Sequence, residues 1–382
     1  MNRCKRCLLP AEAPGAALDN RGLCEVCSGR RAESSLSKPD SLTARQAELD
    51  KALRGARGGG DYDVLVCLSG GKDSLCMLNA LRDYDHLRIL AFTTGINIPA
   101  VAWDNMQKTL EVLGVDHLVL KPSNKFYTKL FRYLLQNQEA RGAVYTLSYV
   151  YAPLFEGDAL RVAVEKQIPL VLAGYSPGQP EPERMEFEFS RDMICYTDWT
   201  PPALRASGEF DESELSRFWN PSAWPSDTVF PRYMAPFHAW PYDQDQIMQD
   251  VMKLGLVRRK RNANPIHSNY PIQWLLMYSD LMQFGYNPYA PEFCALIREG
   301  RASRKYWKVM FPVVDFMIRN RVLLGKNASR SLDWLDMAAE EMQITQPRGA
   351  YDPDVGGLRG VSAKDRGNGT KDHEMHGTDE TG

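Results

Sequence analysis

Ser69-Gly70-Gly71-Lys72-Asp73-Ser74 brings two glycines, two hydroxyls, an ammonium and a carboxylate together directly after an apolar run over 63–68. That combination suits a polyanion. The glycines let backbone N–H groups approach an anion with no Cβ in the way, and the helix-like stretch that follows adds its unpaired first-turn amides and its dipole. Lys72 supplies a mobile cation, Ser69 and Ser74 supply hydroxyl donors, and Asp73 can reach a magnesium ion. The chemistry expected of this turn is phosphate binding, with Ser69, Lys72 and Asp73 as the residues that act on the phosphates.

The spacing says which phosphate loop this is. An ordinary P-loop needs Gly, four residues, then Gly-Lys-Ser/Thr, but Val66 stands five before Gly71 and Asp73 follows Lys72. Ser-Gly-Gly-Lys-Asp-Ser at the end of a first strand instead resembles the PP-loop signature of the ATP pyrophosphatase superfamily. The resemblance implies ATP and Mg2+, cleavage between the α and β phosphates, and adenylation of a substrate oxygen. An ordinary glycine-rich strand-to-helix turn is the alternative.

Four of the eight cysteines lie at the start, as Cys4-x2-Cys7 and Cys24-x2-Cys27. Two such pairs match a four-thiolate zinc ribbon, with two disulfides or an iron–sulfur centre as alternatives. Four sulfur ligands leave no open coordination position, so a Zn2+ ion there is structural or serves docking. Cys67, Cys76, Cys195 and Cys294 are dispersed, and the first two read as small buried hydrophobes. Cys195 has no cysteine near it.

To position the turn, the chain needs a sheet. Strands at 63–68, 87–93, 117–120 and 169–174 alternate with helices at 73–84, 101–114, 125–138 and 147–166, which predicts an α/β fold with a doubly wound parallel sheet. Ligands bind such sheets beyond the carboxyl ends of the strands. Besides the loop, those ends carry Thr93, Thr94, Gly95 and Asn97, and then Gly174, Tyr175 and Ser176. The PP-loop resemblance assigns Thr93, Thr94, Gly95, Gly174 and Tyr175 to the adenosine. Asn105 lies in a helix-and-strand unit that also looks like the superfamily.

The organisation expected is a zinc ribbon over 1–31, a linker over 32–60, a PP-loop domain over 61–176, a lid or packed connector over 177–235, a helical region over 236–345 and a disordered tail over 346–382. In the connector, Arg184 and Arg191 are candidate anion contacts. In the helical region, Trp274, Leu275, Tyr278, Leu281 and Met282 are expected to share one face, and His238 to be a satisfied histidine or an acid–base group. Arg258-Arg259-Lys260-Arg261 is the basic run. It reads as a solvated helix end, with contact to substrate phosphate or RNA as the alternative.

Composition bounds the remainder. The chain has 382 residues, a formal charge of −2 and 44% hydrophobic residues, enough for two domains with a proper core and without a global basic field for nucleic acid. No apolar run reaches membrane-spanning length, so the expected location is cytoplasmic, with no membrane partner.

A finer resemblance rests on Cys4-Lys-Arg-Cys7-Leu-Leu-Pro10, Gly22-Leu-Cys24-Glu-Val-Cys27, the phosphate loop, Phe284-Gly-Tyr and Leu296-Ile-Arg-Glu-Gly300-Arg-Ala-Ser-Arg304. These look like N-acetyl sugar amidotransferases of surface-polysaccharide pathways. The likeness implies that ATP activates a sugar-derived acceptor and that ammonia from a partner glutaminase displaces AMP. One departure is Gly142-Ala-Val-Tyr145-Thr-Leu-Ser148, where many PP-loop relatives carry a cysteine pair. Its absence argues against persulfide thiolation of tRNA, while thiolation of a small molecule by a sulfur carrier stays open. A non-catalytic nucleotide-binding module is the third class.

Overall fold

The computed structural model describes residues 2–31, 39–177, 187–264 and 270–352. In chain order the strands are β1 (Val64–Cys67), β2 (Ile89–Thr94), β3 (Asp116–Leu120), β4 (Gln138–Glu139), β5 (Leu170–Ala173), β6 (Arg232–Met234) and β7 (Ile344–Gln346). Five of them pair in parallel in the order β3-β2-β1-β5-β6, and β4 pairs with β7 separately. The apolar runs of β1 and β5 are covered on both faces, as an interior parallel strand requires.

The chain leaves β1 toward β2 on one side and meets β5 on the other, so the winding reverses between β1 and β5. Side chains alternate across that plane. Val64 and Val66 pack with Leu75 and Leu78 of α2 (Lys72–Ala80) and with Met106 of α3 (Ala100–Leu113). Leu65 packs on the other face with Ala159, Leu160 and Ala163 of a long helix, Ala143–Glu165. At the base, the buried Asp63 carboxylate accepts from the Gly58 and Arg88 amides at 2.8 and 3.0 Å and pairs with the Arg88 guanidinium at 2.8 Å.

The described part of 177–235 belongs to this body. It supplies the edge strand β6, and its buried indoles donate to backbone carbonyls, Trp199 to Met193 and Trp219 to Ile194, at 2.8 and 2.9 Å. Three residues after Pro231 are too short a strand for pattern to reveal.

Helices Pro271–Phe284, Ala290–Arg298, Arg304–Asn320 and Lys326–Leu335 form the C-terminal region. Pro271–Phe284 is buried on more than one face; Met282, expected among its core residues, is exposed, while Trp274, Leu275, Leu281 and the polar Ser279 and Asp280 are buried. Asp280 accepts from the Ala143 and Val144 amides at 2.5 and 3.0 Å, capping Ala143–Glu165 from outside. Order persists past the expected start of the tail: Tyr351 is fully buried, its hydroxyl donates to the Asn137 carbonyl at 2.6 Å, and Asp352 pairs with Arg141 at 3.0 Å. Residues 353–382 lie outside the described residues, as do 32–38 of the linker.

The N-terminal ribbon is fastened to the C-terminal helices. Arg3 pairs with Asp315 at 2.7 Å and its guanidinium lies over Phe311, while Arg304 donates to the Lys5 and Arg6 carbonyls at 2.6 and 3.0 Å. No helix among the described residues is long and apolar enough to cross a membrane.

Candidate active site

The loop Ser69–Ser74 leaves β1 at the point where the winding reverses, which is where a doubly wound sheet opens a crevice. Gly70 takes the left-handed conformation, φ +76°, and a Cβ there would lie 2.4 Å from the Ala102 carbonyl oxygen at the start of α3. Only glycine fits. Inside the loop, the Ser69 amide donates to Ser74 Oγ at 3.2 Å, and Ser74 Oγ donates to the Gly71 carbonyl at 3.0 Å. Because that bond uses the Ser74 hydrogen, Ser69 Oγ donates to Ser74 Oγ across 3.1 Å. Ser74 therefore ties the loop to the helix, whereas Ser69 is exposed. No side chain caps α2 at Gly71, so its first amides keep their capacity for an anion.

Asn105 braces the loop from behind. Its Nδ2 donates to the Gly70 carbonyl at 2.9 Å and to the Asn262 carbonyl at 3.0 Å, and its buried Oδ1 has no partner among the described residues.

The Lys72 ammonium is buried between the Asp73 carboxylate, at 2.7 and 2.8 Å, and the Tyr242 hydroxyl, at 3.1 Å. Burial opposes its charge, yet Asp73 and Tyr242 raise it above the ordinary lysine value, so it stays a cation. Asp73, on the first turn of α2, keeps unused lone pairs, which fits magnesium together with phosphate oxygens.

Thr93 and Thr94 reach the ends of their strand but spend their hydroxyls on the protein. Thr93 donates to the Leu68 carbonyl at 2.6 Å, so the 2.8 Å contact with His117 has Nε2 as donor; Thr94 donates to Asp158 at 3.1 Å. They hold the strand ends beneath the loop. Gly174 makes its close approach to the first turn of α2, where a Cβ would lie 3.1 Å from the Ser74 nitrogen. Tyr175 donates to the buried Glu156 at 2.5 Å. Gly95 sits against Val119 and Leu120, and Asn97 accepts from the Ile272 amide at 3.0 Å, fixing the start of Pro271–Phe284 over β2. Of the expected residues, the structure thus brings Ser69 to Ser74 and Gly174 to Ser176 together at one crevice, with Thr93 to Gly95 one strand away.

Beyond Lys72 and Asp73 opens a cavity of about 160 Å³, walled by Trp274 and Trp307 and carrying Ser176, Tyr242, Gln244, Asn287, Tyr289 and Glu292 as polar groups. Glu292 stands on helix Ala290–Arg298 and accepts from Ser176 Oγ at 3.4 Å. Burial pushes its carboxyl up to about 7, against the pull of Lys72. Tyr242 and Glu292 were not legible in the sequence: a lone carboxylate on the first turn of an apolar helix reads as a partner of the helix dipole.

Cys4, Cys7, Cys24 and Cys27 converge, with all four sulfurs within 4.8 Å of one another and Cys7 to Cys24 at 3.7 Å. A single ion with Zn–S bonds of about 2.3 Å sets tetrahedral sulfurs about 3.8 Å apart. The group therefore fits one closed tetrahedral metal ion. The Cys24 and Cys27 amides donate toward the Cys4 and Cys24 sulfurs at 3.4 and 3.5 Å, as suits thiolates.

Other candidates stand apart. Arg258 is ion-paired with Asp104 at 2.6 Å, which docks the basic run on α3 beside the loop. Arg191 is exposed, burial pushes the Cys195 thiol up, and His238 is half-buried away from the cavity walls. Arg184 lies outside the described residues.

No protein-family model matches the chain, and no curated protein matches it in sequence. Solved structures do. One is the U34-tRNA thiolase NcsA from Methanococcus maripaludis with its 4Fe-4S cluster, at 14% identity and TM-score 0.35, covering 87% of this chain and 89% of the other. A second is the NMN synthetase from Francisella tularensis, at 11% and 0.33, covering 81% and 98%. A third is the NH3-dependent NAD synthetase from Campylobacter jejuni, at 13% and 0.32, covering 77% and 97%.

Proposed function

We propose that this chain is a Mg-ATP-dependent enzyme that adenylates a small, sugar-derived acceptor, releasing pyrophosphate, and then AMP when ammonia displaces it. The observation that carries this reading is the juxtaposition at the end of β1. A glycine loop with free helix amides, a buried cation and a carboxylate lies directly against a partly open cavity of about 160 Å³.

In this reading the loop amides, Ser69 and Lys72 hold the phosphates. Asp73 would hold Mg2+, whose charge eases the build-up of negative charge on the phosphates. The acceptor oxygen, seated in the Glu292 pocket, attacks the α-phosphorus in line. The bond to the bridging oxygen breaks and pyrophosphate leaves with that electron pair. The cysteine cluster would hold Zn2+ as a structural ion. Ammonia would be supplied by a partner glutaminase, and RNA is a less favoured acceptor.

The test is pyrophosphate release from Mg-ATP with a panel of N-acetyl sugars and nucleotide sugars, with ammonium or sulfide added. Stimulation by ammonium with a sugar supports amidation. Dependence on sulfide transfers the reading to thiolation. ATP binding without pyrophosphate from any acceptor reduces the chain to a nucleotide-binding module.

A further inference from the structure

Lys72 and Asp73 neutralise one another at 2.7 Å, so among the described residues that line the pocket the negative charge of Glu292 is the unmatched one. Among the described residues the one hydrogen bond to its carboxylate is the long one from Ser176. A carboxylate has about four lone-pair sites, so most of its accepting capacity faces the cavity. The neighbouring Phe293 stacks on Trp307 at 3.9 Å between ring centroids, which sets the aromatic wall beside it. A ligand seated between those walls and the phosphate loop must meet this carboxylate at close range.

We propose that Glu292 selects the acceptor, taking a hydrogen bond from an N–H or O–H of an uncharged molecule and turning away acceptors that carry a free carboxylate. This rests on the adenylating reading above. It narrows the reacting oxygen to that of a neutral amide, carbonyl or hydroxyl. Glu292 acts here by reading the ligand, whereas the loop handles ATP. A carboxylate entering the pocket would face Glu292 in a low-dielectric space, where like charges a few ångströms apart cost roughly tenfold or more in affinity.

The experiment uses the full chain and two matched pairs, N-acetylglucosamine with its uronic acid and benzamide with benzoate. Binding is read by quenching of tryptophan fluorescence without nucleotide at pH 8, where Glu292 is ionised, and a W307F variant marks the signal from the pocket. Binding of mant-ATP with Mg2+ is measured separately. The expected result is that the wild type binds at least one neutral member about tenfold more tightly than its acid. E292Q should bring that ratio to within about twofold, E292D should restore part of it, and mant-ATP should bind all three alike. A residue that merely supports the fold would not move the ratio. Equal affinities in the wild type, an unchanged ratio in E292Q, or no quenching by either neutral compound at millimolar concentration overturns the inference. A wild type that keeps the charge ratio but binds no mant-ATP overturns the adenylation reading and, with it, the role of acceptor selection.

Discussion

Glu292 and Cys294 stand two residues apart on helix Ala290–Arg298 and face different sites. Glu292 looks into the cavity beside Lys72, whereas Cys294 is fully buried in the same core cluster as Cys4, Cys7 and Cys24. One short helix thus joins the cysteine cluster to the pocket. Anything that loosens the ribbon is transmitted to Glu292 through less than one helical turn.

Metal removal should therefore be felt at a distance. Replacing Cys7 by Ser, or stripping metal with a chelator, should lower the melting temperature by about 5 °C or more, since a structural metal site contributes folding energy directly. Scanning fluorimetry with and without added zinc reads this. An unchanged midpoint in a protein shown by elemental analysis to have lost its metal would contradict a structural ion.

The loop substitutions S69A, K72M and D73N should each lower pyrophosphate release by about a hundredfold, the usual cost of removing one electrostatic contact from a phosphate or oxyanion site. Circular dichroism and melting should stay close to wild type for S69A, because Ser69 is exposed. D73N leaves the buried Lys72 ammonium without its counter-charge and should keep the fold at a lower melting temperature. Turnover retained in D73N would remove Asp73 from the reaction.

Gly70 allows no side chain. G70A combines a left-handed φ of +76° with a Cβ placed 2.4 Å from the Ala102 carbonyl oxygen, so the loop must move away from α3. The cost expected is about 2 to 4 kcal/mol, with loss of ATP binding. N105A should act on the same contact more mildly by releasing the Gly70 carbonyl. Urea denaturation and nucleotide titration of the two variants give the order.

Asp280 offers a test by pH. Burial outweighs the amides of Val144 and Ala143 and pushes its carboxyl up to about 7. The folded protein then keeps a proton that the unfolded chain has already lost above about pH 4. The stability this group contributes is whole below pH 4 and is lost as pH rises toward 7. D280N cannot titrate, so the stability of the wild type minus that of D280N should fall between pH 4.5 and 7.5 in urea denaturation, marked out roughly by those two values. A difference that rises with pH would show the carboxyl ionised throughout. D280A, which leaves two helix amides uncapped, should cost about 1 to 3 kcal/mol.

Much of this protein was legible in local pattern. Apolar runs flanking 64–67, 89–94 and 170–173 could only be strands covered on both faces, and their alternation with amphipathic helices implied the parallel sheet and the place of its crevice. The loop and the four cysteines were legible because their chemistry depends on residues close together in sequence. Short elements such as β6 were not, since three residues carry no period, and neither was the return of the chain through Tyr351, since one buried ring decides it. What only the tertiary structure decided is which distant groups share a space. Asn105 meets Asn262 from 157 residues away, and Glu292 joins Lys72 because helices from the end of the chain close over the sheet. Sequence period reports which face of a helix is buried, and burial is the same free energy whatever lies opposite; the identity of the partner is set by the packing of the whole chain.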